Sequence, residues 1–157
     1  MGDKSSVQIE KSAVLILIAL LNGETSAVES YERAARLLPS SEITFELSQL
    51  ADEHTKRVRK LRRRLRQIGT SNGAAGAELG GFTFPKLDGA KCTELELLAL
   101  LQDAEQKAVY AYQNSLGRLD QTSRALVMHE LIPEQELTDN VVTTLCDGIR
   151  FEARLSA

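Results

Sequence analysis

Glu24 and Glu105 are the residues of this sequence best placed to do chemistry, because each interrupts an otherwise apolar helical stripe. A carboxylate in such a place cannot stay ionised and alone. It needs a cation, a proton or several hydrogen-bond donors. Tyr31 and Tyr112 each follow one of these glutamates by seven residues, two turns further along the same face. His54 and Gln135 occupy equivalent inward places on two further stripes. Carboxylates and an imidazole converging in an interior could hold a metal ion. The same groups could instead close a polar layer, Glu24 with His54 and Glu105 with Gln135, helped by the two tyrosines.

These residues belong to an internal repeat. Glu24 and Glu105 are 81 residues apart, and the same offset maps Leu17 on Leu98, Leu20 on Leu101, Ala27 on Ala108, Val28 on Val109 and Tyr31 on Tyr112. It runs on through Ser41 and Thr122, Leu50 and Leu131, Glu53 and Glu134, and His54 and Gln135. Leucine and alanine matches are common among helices; a shared glutamate and tyrosine inside an apolar face are much less so.

The elements that must position these residues are helices. The spacing predicts a first helix from about Ser6 or Ser12 to Leu38, ended by Pro39, with Leu17, Leu20, Glu24, Ala27, Val28, Tyr31, Ala35 and Leu38 inward. Ser40 or Ser41 caps a second helix, whose stripe runs from Ile43 through His54 to Ile68 before Gly69. Thr70 to Cys92 is rich in glycine and small residues, has no helical period and reads as a crossover, with a short extended piece at Phe82–Phe84. Thr93-Glu94-Leu95-Glu96 is a capping box that opens a third helix. Gly117 and Asp120 mark a turn. A fourth helix follows from about Thr122 to Leu155, with Ala125, Met128, Leu131, Gln135, Val142, Leu145 and Ile149 inward and a kink expected at Pro133. Two hairpins, each with one apolar stripe, bury those stripes against each other. The expectation is an all-α four-helix bundle, one domain over 1–157. Aromatics at 4%, three prolines and no tryptophan favour helices over a β-sandwich. A hydrophobic share of 43% excludes a wholly disordered chain.

The run Gly23-Glu24-Thr-Ser-Ala-Val-Glu-Ser-Tyr31, with Asp52-Glu53-His54 on the next helix and Glu105 through Tyr112 in the second half, resembles the rubrerythrin branch of the ferritin-like superfamily. The resemblance implies a bundle with a long crossover. It also implies two metal ions, held by a glutamate from each odd helix and a Glu-x-x-His from each even one. Here Glu24, His54 and Glu105 match ligand positions, whereas Ala51, Ile132 and Gln135 stand at the other three. Glu53 and Glu134 lie one residue from ligand positions, about 100° round the helix, and belong at the rim. The resemblance therefore points to a ferritin-like protein with a degenerate di-metal site, non-catalytic and acting as a stress-related or structural association module without a cofactor. The alternative is a redox or iron-handling protein with one iron or manganese ion at Glu24, His54 and Glu105.

Charge is distributed unevenly. Lys56 to Arg66 carries eight of the 19 basic residues and no acid, leaving 11 basic against 22 acidic residues elsewhere, a balance of −11. The stretch reads as a solvated outer face, or as a site for an anionic partner. No aromatic residues interleave it, which disfavours nucleic acid. His129 falls off the inner stripe. Near the N-terminus, Lys4 and Lys11 precede the apolar run Ala13 to Leu21, as in a secretory signal. That run is shorter than the ~20 residues a bilayer needs, and no small-x-small cleavage site follows. It reads as a buried helix, so no membrane association is expected. The cytoplasm is the expected compartment, with Cys92 and Cys146 as reduced thiols. A homo-oligomer, most simply a dimer, is expected, with Val7, Ile9, Phe82 and Phe84 as contact residues.

Overall fold

The computed structural model describes residues 4–39, 41–69, 80–88 and 91–157, with side chains from Lys11 onward apart from Ser41. Ser40, the Ser41 side chain, those of Val7 and Ile9, and much of the crossover lie outside that description. The regular elements among the described residues are all helices, without strands. Helix α1 spans Lys4–Leu37 and α2 spans Ser41–Ile68. Helix α3 spans Glu94–Ser115. The fourth helix is composite: α4 (Gln121–Leu126), a π-helical stretch Val127–Leu131, and α5 (Ile132–Leu155). Helix α1 packs along α2, and α3 along α5; the two hairpins meet through α1 with α3 and α2 with α5. The result is a four-helix bundle around one apolar core.

Local chemistry explains the boundaries. Thr93 accepts from the Glu96 amide while Glu96 accepts from the Thr93 amide at 2.7 Å, so both ends of the capping box form. Asp120 caps α4 through the amides of Thr122 and Ser123, each 3.1 Å away. Gly69 takes a φ of +91° just past α2, a conformation that side chains with a Cβ resist.

Pro133 is absorbed by a change of winding. It has no amide hydrogen, and its ring would strike the carbonyl four residues back. The Ile132 amide instead reaches the Val127 carbonyl five residues back. The wide turn inserts one residue, and the register ahead of it differs from the expectation. Met128 and Ala125 face outward, while Val127 and Ser123 are buried. Thus Leu50 aligns with Leu131 at an offset of 81, but Leu47 with Val127 at 80.

The described crossover, residues 80–88, lies on α1 as an extended strap. The Phe84 amide donates to Ser26 Oγ at 3.0 Å, and Ser30 Oγ donates to the Pro85 carbonyl. Gly23 makes the contact possible, since a Cβ there would lie 2.6 Å from the Phe82 ring. Phe82, Phe84 and Leu87 are buried. The two phenylalanines are therefore core residues, and the expectation that they supply contacts to a second chain is corrected. Along Lys11–Leu37, α1 has the length and composition of a membrane span, with a mean hydropathy of 1.4, yet half of its apolar window is buried in the bundle and Glu24 lies within it.

Candidate functional site

All four helices send polar side chains to one level of the core. Glu24 and Tyr31 come from α1, His54 and Arg57 from α2, Glu105 and Tyr112 from α3, and Gln135 and Thr138 from α5. Glu24, Tyr31, His54, Arg57, Glu105, Tyr112 and Gln135 are 0% exposed.

The hydrogen bonds cross between hairpins. Tyr112 donates to Glu24 Oε1 at 2.6 Å, and Tyr31 donates to Glu105 Oε1. His54 stands between the two carboxylates, with Nδ1 2.7 Å from Glu24 Oε2 and Nε2 3.0 Å from Glu105 Oε1. Arg57 Nε donates to both Glu24 oxygens at 3.1 Å, and its Nη2 lies 2.8 Å from His54 Nδ1 and 3.3 Å from Thr138 Oγ1. Gln135 Nε2 and Thr138 Oγ1 donate to Glu105 Oε2, the latter at 3.2 Å. Each carboxylate thus binds its own hairpin's partner and the tyrosine of the other. Separating the hairpins would take Tyr112 from Glu24 and both Tyr31 and His54 from Glu105.

Two carboxylates face one guanidinium and one imidazole, so one further proton makes the layer neutral, and His54, held between both carboxylates, is placed to carry it. A net charge left in so dry a place is strongly unfavourable. Burial pulls the His54 pKa down, but Glu105 and Glu24 outweigh it and the repulsion of Arg57, leaving the imidazole above its ordinary value. Burial works against ionised Glu24 as well; Arg57, His54 and the Tyr112 hydroxyl nevertheless hold its carboxyl below the usual range. Burial, with Glu105 and Glu24 as respective neighbours, pushes both Tyr31 and Tyr112 well above the ordinary phenol value. They remain neutral donors.

The strap seals one side. Tyr31 stacks on His54 with ring centroids 5.1 Å apart, and the Phe84 ring meets the imidazole edge-on at 5.3 Å. Phe82 packs between Phe84 and Tyr112. The Tyr31 face stacked on the imidazole favours its charged form, and the rings around it exclude water.

The sequence-predicted residues divide clearly. Glu24, His54 and Glu105 converge, and Gln135 joins Glu105. Glu53 and Glu134 do not reach them: Glu53 pairs with Lys56 at 2.5 Å, and Glu134 pairs with Lys60, which also holds Glu130 at 2.8 Å. Arg57 is the residue that the charge pattern hid. Read as part of a solvated basic face, it is wholly buried. Its place three residues after His54, on the same side of α2, was the available signal. The rest of that stretch is mixed. Lys60 and Arg64 pair across the bundle with Glu130, Glu134 and Asp120, whereas Arg59, Arg62, Arg63 and Arg66 are exposed and make no ion pair among the described residues.

The donor set does not fit a di-metal centre. Of the six positions that the ferritin-like resemblance assigns to ligands, three hold Ala51, Ile132 and Gln135. Both His54 nitrogens are engaged by carboxylates, and the Arg57 guanidinium lies where a cation would share Glu24. Among the described residues, no group of three or more His, Cys, Asp or Glu side chains is arranged to hold a metal ion. Arg57 Nη1 and Gln135 Oε1 are buried without a hydrogen-bond partner.

No protein-family model matches the sequence, and no curated protein matches it either.

Proposed function

We propose that the chain is a ferritin-like bundle in which Arg57 and His54 do the electrostatic work of the two metal ions, and that it serves as a stress-related or structural association module without a metal cofactor. The observation that carries this reading is the buried Arg57 guanidinium, seated on both Glu24 oxygens beside an imidazole that bridges Glu24 and Glu105. A guanidinium and an imidazolium neutralise the two carboxylates, leaving no charge for a metal to balance. The layer is closed to solvent, so no substrate reaches it as it stands. Its work is to fix the register of the hairpins. Association with an anionic partner, if it uses α2, falls to the exposed Arg59, Arg62, Arg63 and Arg66.

Elemental analysis of the purified protein, with thermal unfolding in chelator and in added iron(II) or manganese(II), tests the reading. The expected result is substoichiometric metal and an unfolding midpoint that neither treatment moves. Stoichiometric iron or manganese, lost in Glu24→Gln or His54→Gln, would overturn it in favour of a mononuclear centre at Glu24, His54 and Glu105.

A further inference from the structure

The inward face of α5 is defined by Gln135, Thr138, Val142 and Cys146, all buried. On the opposite face a second stripe runs along the same helix: Leu137, Val141, Thr144, Gly148, Phe151 and Leu155. Their spacing is four, three, four, three, four, the heptad spacing of a coiled-coil seam. Leu137 is 65% exposed, Val141 36%, Phe151 61% and Leu155 73%. The Thr144 hydroxyl bonds back to the Asn140 carbonyl at 2.9 Å, which leaves its methyl group for the seam. The other exposed large apolar residues among those described are scattered: Leu15 and Leu37 on α1, Phe45 on α2, Leu100 and Tyr110 on α3, and Met128 in the π-helical stretch.

We propose that this seam pairs antiparallel with the α5 seam of a second copy of this chain, forming a twofold dimer. The stripe is complementary to its own reverse. With the axis crossing the seam between Thr144 and Gly148, Leu137 meets Leu155 of the partner, Val141 meets Phe151, and Thr144 meets Gly148; all three layers fall at one register, their residue numbers summing to the same value. A twofold interface requires this kind of self-complementarity. Gly148 fits this register. It disfavours the helix it sits in, and a Cβ there would touch nothing within 4 Å in its own chain. In the antiparallel pair it leaves room for Thr144. A parallel, in-register pair would set Gly148 on Gly148 and leave a void. It would also set Asp147 against Glu152 of the partner twice. The antiparallel pair has a single like-charge meeting, Asp147 with itself, and Arg150 sits 3.3 Å from that carboxylate.

One helix from each copy, in contact over about 27 Å, makes a small interface, so the dimer dissociates on dilution. Sedimentation velocity across a wide concentration range should show a reversible monomer–dimer equilibrium. Phe151→Glu should weaken it about a hundredfold or more, with unchanged helical circular dichroism; Leu155→Glu does the same should the first variant misfold. In a Cys92→Ser background, oxidising a mixture of Thr144→Cys and Gly148→Cys chains should link unlike chains, while Thr144→Cys alone should not link to itself. A monomer at every concentration, a dimer untouched by either glutamate, or a Thr144→Cys homodimer would each overturn the proposal. None of these outcomes depends on metal content, so the dimer stands or falls apart from the function proposed above.

Discussion

Arg57 and Arg62 sit five residues apart on one helix and live in different solvents. Arg57 is wholly buried, holds Glu24 and touches His54 and Thr138. Arg62 is exposed and, with Arg59, Arg63 and Arg66, makes no ion pair among the described residues. The same guanidinium is an internal counter-ion in one place and a hydrated surface charge in the other. What separates them is angle round the helix. Three residues from His54 lands on the core face, whereas Arg62 and Arg63 fall outside it. A run of like charges is therefore one feature only when drawn as a line of text.

The largest test of this contrast is Arg57→Met. It leaves Glu24 buried beside one cation shared with Glu105, and should cost about 3–5 kcal/mol by denaturant unfolding. Adding Glu24→Gln to that variant should restore part of the loss, because the stranded charge goes with it. A cost under about 1 kcal/mol for Arg57→Met would mean the interior arginine behaves like a surface one.

Titration sharpens the contrast next. The His54 pKa is raised in the folded state, so its contribution is whole below the unfolded value near 6.5 and is lost as pH climbs through the folded value. Glu24 is lowered, so its contribution is whole above about 4.5 and is lost as pH falls through the folded value. Stability should peak between those limits and decline on both sides. In His54→Gln the alkaline decline should disappear, as chemical denaturation at fixed pH steps would show.

Gly23→Ala probes the seal rather than the charges. Its Cβ would lie 2.6 Å from the Phe82 ring, forcing the strap away from α1. A loss of about 1–3 kcal/mol is expected, with faster hydrogen exchange at the Phe84 amide that Ser26 now holds. Smallest of all, Arg62→Gln and Arg63→Gln should each change stability by less than about 0.5 kcal/mol, with little dependence on salt.

Much of the bundle was legible in the sequence because its signals are local. Helical periodicity located the four rods, Pro39 and Gly69 their ends, and Thr93 with Glu96 the start of α3. Glu24, His54 and Glu105 stood out as polar residues in apolar stripes, and they converge. Met128 was misplaced because a π-helical turn depends on how one proline is accommodated, not on periodicity. Phe82 and Phe84 lie in a segment without periodicity, so their burial could not be read from it.

The sequence by itself determined that two acidic groups must enter the core, since a carboxylate inside an apolar stripe has nowhere else to go when its helix packs. It also determined that this burial needs compensation. Tertiary structure alone decided which groups compensate. Tyr112 reaches Glu24 across 88 residues of chain and Tyr31 reaches Glu105 across 74. Arg57 leaves its basic neighbours to turn inward. Such pairings depend on how the hairpins lie against each other, and the energy of a buried charge depends on every group within a few ångströms, whatever its distance along the chain.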